Sequence, residues 1–177
     1  MKKKISVCLG LFLAALFFRC AILYAAGGGL CIKDGRFYKD DKLLNAHGVN
    51  YFNVFLRIND AAVKGKAYDL SWKRGLETLA ENKIPFIRFS AFPFYPVDWK
   101  LYLEDKEAYF SNMDKVVREA ERLNMGLIPS IFWVHHTLQD LLKEPVSAIG
   151  NENSKTRNFM RTYAREVIAR YKNSSAI

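Results

Sequence analysis

The sequence predicts an α/β fold, in which a β-hairpin precedes three strand–helix units that share a parallel sheet. The first indication is the pair Asp34-Gly35, a favoured tight turn between two short apolar stretches in the segment 30–44. The second is the alternation of short apolar runs with amphipathic segments after residue 45, which favours βαβ units. A composition of 50% hydrophobic and 25% charged residues suits a folded globular chain.

The three predicted parallel strands are short apolar runs over residues 46–52, 84–90 and 127–133. Pro85 is acceptable near the start of the second run, because the first residue of a strand need not donate to the ladder. His47 lies inside the first run and is expected to be a buried core residue. Three units are too few to close an eight-stranded barrel, which needs about 250 residues, so the pattern alone indicates a small open sheet.

Helices are predicted where apolar residues recur at helical spacing, over residues 69–82, 111–124 and from Ser154 onwards. Ser111 and Asp114 resemble a capping box at the start of the second helix. Ser154 is the expected N-cap of the third. The intervening segments, an aromatic-rich stretch over 91–109 and a polar stretch over 135–153, are predicted as loops.

Residues 1–26 are predicted to be a signal peptide, since three lysines, an apolar run and small residues near Ala26 follow one another in that order. Arg19 interrupts the apolar run and leaves it short of the roughly 20 apolar residues of a membrane span. An uncleaved anchor is the less favoured alternative. Cleavage would leave one domain, residues 27–177, and lower the net charge by four, from +9 to +5. We therefore expect a secreted or periplasmic protein without stable membrane association.

The sequence points away from several classes of partner. Lys and Arg are scattered among acidic residues instead of clustering on one face, so no nucleic-acid binding is predicted. No Gly-rich phosphate loop or HExxH motif occurs, and only Cys31 would remain after signal cleavage. The adjacent His135 and His136 point in different directions, which disfavours a shared metal. We expect no cofactor and no metal.

Candidate site residues follow the predicted strands, because the carboxyl ends of parallel strands line the functional sites of α/β proteins. Arg88 could orient a carboxylate through paired hydrogen bonds, or form a salt bridge at the rim. Trp133 is a candidate platform for a sugar ring, although a core position is the commoner one for tryptophan. Phe94 belongs to an aromatic loop interpreted as a cleft wall. His135 and His136 either line the cleft or are ordinary loop residues.

Acidic residues after the third strand do not form a convincing catalytic pair. A retaining glycosidase needs two carboxyl groups about 5–5.5 Å apart. Asp140 and Glu144, four residues apart, are more simply explained by a solvated helical turn. A small, unrelated α/β enzyme that uses His136 and Asp140 is a weaker alternative.

Four groups of segments, in order, resemble the start of cellulase-like enzymes of glycoside hydrolase family 5, in the clan of retaining (β/α)8 hydrolases. They are 34–37 with 45–51, then 79–89, then 113–117 with 124–133, and finally 154–157 with 165–171. The resemblance implies a partial (β/α)8 TIM barrel, comprising about the first three βα units preceded by an N-terminal β-hairpin.

The resemblance also implies hydrolysis of O-glycosyl bonds in a β-linked polysaccharide or oligosaccharide of glucan or mannan type, through a covalent glycosyl-enzyme. Arg88 matches the strand-two arginine that supports the nucleophile. Tyr51, Phe94, Trp133 and the histidines at 135 and 136 would contact substrate. Both catalytic glutamates of the family are missing, so we expect an inactive fragment of such an enzyme. The alternative is a non-catalytic carbohydrate-binding or self-associating half-barrel.

Overall fold

The computed structural model describes residues 30–39, 41–65 and 70–177. The predicted signal peptide, residues 1–26, lies outside the described residues. Within the described part, no helix combines the length and apolar character required to cross a membrane.

The N-terminal hairpin is confirmed and gains a third strand. Strands β1 (Leu30–Lys33), β2 (Arg36–Lys39) and β3 (Lys42–Leu43) form an antiparallel sheet in the order β1-β2-β3. The turn between the first two strands has φ of 51° at Asp34 and 71° at Gly35. Two consecutive residues in the left-handed region match the tight turn that an Asp-Gly pair favours.

A second sheet is parallel and follows in the order β4-β5-β6. Its strands are β4 (Val49–Asn50), β5 (Phe86–Ser90) and β6 (Gly126–Ser130). Strand β4 is shorter than the predicted run over 46–52, and its residues are exposed. His47 precedes this strand and is also exposed, so its predicted core position is wrong.

The described residues form six α-helices and one 3-10 helix. They are α1 (Val54–Val63), α2 (Ser71–Glu81), α3 (Pro96–Glu104), α4 (Lys106–Arg122), α5 (His136–Leu142), the 3-10 helix Val146–Gly150 and α6 (Lys155–Tyr171). The predicted helices correspond to α2, α4 and α6. Helices α1, α3 and α5 were not predicted.

The prediction of a partial (β/α)8 barrel is wrong. The described strands fall into two small three-stranded sheets, one antiparallel and one parallel, and no pattern of alternating single βα units is evident. Two helices, not one, lie between successive parallel strands. The physical reason lies in the segments predicted as connections: Pro96 occupies the first turn of α3, and the Asp98 carboxylate accepts a hydrogen bond from Tyr95 N at 3.3 Å at the start of that helix.

Helix caps correct one boundary and confirm another. Helix α4 begins at Lys106, five residues before the predicted start, because the Asp105 carboxylate accepts a hydrogen bond from Ala108 N. The predicted capping box at Ser111 is therefore wrong. The Ser154 cap of α6 is confirmed, since its hydroxyl accepts a hydrogen bond from Arg157 N at 3.0 Å.

The core lies between the helices and one face of the parallel sheet. On that face Ile87 and Phe89 are fully buried and Leu127 is nearly so, with α1 against β5 and α4 against β6. The opposite face carries Arg88 and Ile128, aligned in the register and partly exposed. The helices thus cover one side of the sheet and leave the other open in the described part of the chain.

Candidate functional site

Arg88 is held at the open face of the parallel sheet by two contacts. Its Nε donates a hydrogen bond to Ser130 Oγ at 2.6 Å. Its guanidinium carbon lies over the Trp133 ring, 4.4 Å from the centroid. The register aligns the carboxyl ends of β5 and β6 and so brings Ser130 close to Arg88, and Trp133 lies three residues beyond Ser130. The arginine head group is therefore fixed beside an aromatic ring.

A turn after β6 gives Trp133 its position. The predicted strand over 127–133 ends at Ser130, and Phe132 adopts a left-handed φ of 65°. The Phe132 ring then packs inwards, 4.9 Å from the Phe92 centroid. Trp133 stays at the surface and is 49% exposed, which contrasts with the buried environment that is usual for tryptophan.

Four aromatic rings lie side by side at this edge, and we call Trp133, Phe52, Phe94 and Tyr95 the aromatic row. The centroids of Phe52 and Trp133 are 5.3 Å apart, and those of Phe52 and Phe94 are 5.4 Å apart. Phe94 and Tyr95 are 4.2 Å apart. Tyr95 is 43% exposed, so the exposed members lie at the two ends of the row.

A buried polar network supports the Tyr95 end of the row. The Asp98 carboxylate accepts a hydrogen bond from Tyr95 N at 3.3 Å and another from Asn59 Nδ2 at 2.9 Å. Asn112 Nδ2 donates in turn to Asn59 Oδ1 at 3.1 Å. Burial raises the pKa of Asp98, and the hydrogen bonds from Asn59 and Tyr95 act in the opposite direction. This network ties the loop that carries Phe94 and Tyr95 to α1 and α4.

Tyr51 does not join the aromatic row. Its hydroxyl donates to the backbone carbonyl of Trp72 at 3.3 Å, and its ring contacts Arg57 at 5.7 Å. The structure places it against the start of α2, where it occupies the space that a side chain at Gly75 would need.

The two histidines form the start of α5, with His135 at the N-cap position and His136 as the first helical residue. His135 Nδ1 is 3.2 Å from Gln139 Oε1, and His136 is exposed. Their ring centroids are 6.3 Å apart and their planes differ by 80°, so the two rings point in different directions. In the described part of the chain, no three His, Cys, Asp or Glu side chains are grouped as metal ligands would be.

Glu144 has a structural position at the start of α6. Its carboxylate accepts hydrogen bonds from Lys155 N at 3.1 Å and from Thr156 N and Thr156 Oγ1, both at 2.8 Å. These bonds, led by the one from the Thr156 backbone, lower the pKa of Glu144. Asp140 is exposed on α5. The carboxyl groups of Asp140 and Glu144 thus lie in different surroundings and show no catalytic pairing.

Sequence reasoning missed three residues of this site: Phe52, Asp98 and Ser130. Phe52 lies two residues after β4 and ends the apolar run predicted as the first strand, so strand-end position could have indicated it. Asp98 lies two residues after Pro96, an arrangement typical of a helix start. Ser130 gives no local signal, because its role depends on pairing with a residue 42 positions earlier.

Comparison with known proteins assigns no family to this arrangement. No protein-family model matches the chain, and no curated protein is significantly similar to it. The interpretation of the site therefore depends on its geometry.

Proposed function

We propose that this protein binds a saccharide at the aromatic row. The observation that carries the proposal is Trp133, which is half-exposed yet held by Arg88 on one ring face and by Phe52 at 5.3 Å. A rigid, exposed indole offers a large apolar contact at little cost in conformational entropy. The apolar face of a pyranose ring is a suitable partner for it.

Polar groups beside the row could supply the directional contacts that sugar hydroxyls need. Arg88 and Ser130 lie at the Trp133 end, and Asn50 aligns with Arg88 in the register. Binding sites typically combine an apolar lining with a few well-placed polar groups. The open sheet face next to the row has this combination.

The family 5 resemblance extends the proposal to β-linked glucan or mannan chains as ligands and to secretion as the context. Hydrolysis would require two carboxyl groups about 5–5.5 Å apart. Among the described residues, Asp98 is engaged with Asn59 and Tyr95, and Glu144 caps α6. Binding without hydrolysis is thus the function that the geometry supports best.

The test compares two alanine variants in isothermal calorimetry of the full chain with cellohexaose and mannohexaose. We expect Trp133→Ala to weaken binding about tenfold or more, equivalent to ~1.4 kcal/mol. Phe37→Ala is the matched control, because Phe37 is 56% exposed but lies in the hairpin sheet. Equal affinities for the Trp133→Ala variant and the parent, or no binding of either saccharide by the parent, would contradict the proposal.

A further inference from the structure

The Arg88 guanidinium uses only part of its hydrogen-bonding capacity. Arginine carries five N–H donors in a planar fork. In the described part of the chain, Nε donates to Ser130 Oγ, whereas the terminal Nη donors have no hydrogen-bond acceptor and no carboxylate lies within salt-bridge distance. Arg170 differs, since it forms ion pairs with Glu107 and Asp114 at 2.7 and 2.8 Å.

The open sheet face around Arg88 also carries no negative charge among the described residues. The register places Asn50 on one side and Ile128 on the other. Ser130 is neutral, and Trp133 contributes only its ring. A partly buried guanidinium with unused Nη donors and neutral neighbours favours an anionic partner, because a carboxylate can accept from those donors and balance the charge.

We propose that the saccharide bound here carries carboxylate groups, as in an oligomer of uronic acids, and that one carboxylate takes the two Nη groups of Arg88. The inference rests on the proposed saccharide function and names its ligand class. A planar carboxylate matches the guanidinium fork through two parallel hydrogen bonds. An adjacent sugar unit then stacks on the aromatic row.

The site is preorganised for this contact. The bond to Ser130 and the contact with Trp133 hold the head group from two directions. A fixed guanidinium loses little conformational entropy on binding, so more of the interaction energy contributes to affinity. This separates Arg88 from flexible surface lysines, which attract anions without fixing their orientation.

The experiment uses two ligands that differ only at C6, β-1,4-linked tetramannuronate and β-1,4-mannotetraose, in calorimetric titrations of the full chain. We expect the acidic oligomer to bind at least about tenfold more tightly at low salt, since charge-assisted hydrogen bonds are roughly twice as strong as neutral ones. This preference should shrink as salt is added. It should fall to within about twofold in Arg88→Met, which keeps most of the aliphatic stem.

A net charge of +9 could itself attract an acidic ligand, so a second arginine variant is needed. Arg74→Met removes the same charge from an exposed position on α2 and should leave the preference unchanged. Arg88→Lys keeps the charge but not the fork, and we expect it to lose most of the preference. Circular dichroism establishes that each variant is folded.

The outcomes separate the two proposals. The carboxylate assignment would be overturned if both oligomers bound equally. It would also be overturned if Arg74→Met lost the preference for the acidic oligomer as fully as Arg88→Met, or if Arg88→Lys kept all of it. If mannotetraose still binds and Trp133→Ala still weakens that binding, the saccharide function stands without the carboxylate assignment. If neither oligomer binds, the saccharide function itself fails.

Discussion

Arg88 lies between a serine hydroxyl and an indole ring, and each contact restricts the same head group. Its position on a strand could be predicted from the apolar run around it, as could the aromatic character of the loop that carries Phe94. Ser130 could not be predicted as a partner of the site. Its role depends on pairing between strands that are distant in sequence, which no local pattern encodes.

Ser90 allows a test of the strand end itself. It is 4% exposed, and its Oγ is buried with no hydrogen-bond partner in the described structure. A buried polar atom without a partner costs about 1–3 kcal/mol. We expect Ser90→Ala to raise the free energy of unfolding by about 1 kcal/mol in urea denaturation, because alanine removes the unsatisfied atom without adding volume.

Ser130→Ala is the contrasting variant, since Ser130 Oγ accepts the bond from Arg88 Nε. We expect it to lower the free energy of unfolding. If Ser90→Ala instead lowered the free energy of unfolding as much as Ser130→Ala does, Ser90 would have a hydrogen-bond partner in solution, and the prediction would be contradicted.

At the scale of helices and strands, regular periodicity determined what could be predicted. Helices α2 and α6 have apolar residues on one side, and their approximate positions followed from that pattern. Helix α3 lacks such a one-sided pattern, because its aromatic residues contact neighbours in several directions. The Trp99 ring, for example, packs against both Phe92 and Phe159. Helix α5 has only seven residues, too few for a repeating pattern.

The start of α6 provides a prediction for pH dependence. Glu144 has a pKa lowered from its ordinary value of 4.5 by hydrogen bonds from Thr156 and Lys155. A carboxylate whose pKa falls on folding stabilises the protein above the unfolded value and loses that contribution as pH drops through the folded value. We expect the Tm difference between the parent and Glu144→Gln to be fully present above the ordinary pKa of 4.5 and to shrink as the pH falls below it.

Asp140→Asn is the matched control for that comparison. Asp140 lies four residues earlier, is exposed, and makes no side-chain hydrogen bond within the described part of the chain. Its substitution should leave the acid limb of the Tm profile unchanged. Parallel Tm profiles for the parent and Glu144→Gln across this range would contradict the capping role of Glu144.

At the scale of the whole molecule, α/β character was predictable and the barrel was not. Composition and the order of apolar runs indicate strands, helices and a parallel sheet. They do not specify how many helices connect two strands, which depends on caps such as Tyr95 with Asp98. Nor do they specify that the hairpin forms a sheet of its own. The open face that carries the site results from this arrangement.

The most direct test of saccharide binding at the aromatic row uses the three tryptophans of the chain. Trp133 is 49% exposed, whereas Trp72 and Trp99 are each 8% exposed, so acrylamide quenching of the emission should report mainly on Trp133. We expect a saturating β-linked oligosaccharide to lower the quenching constant towards that of Trp133→Phe. An unchanged quenching constant, with the ligand bound or without detectable binding, would contradict saccharide binding at the aromatic row.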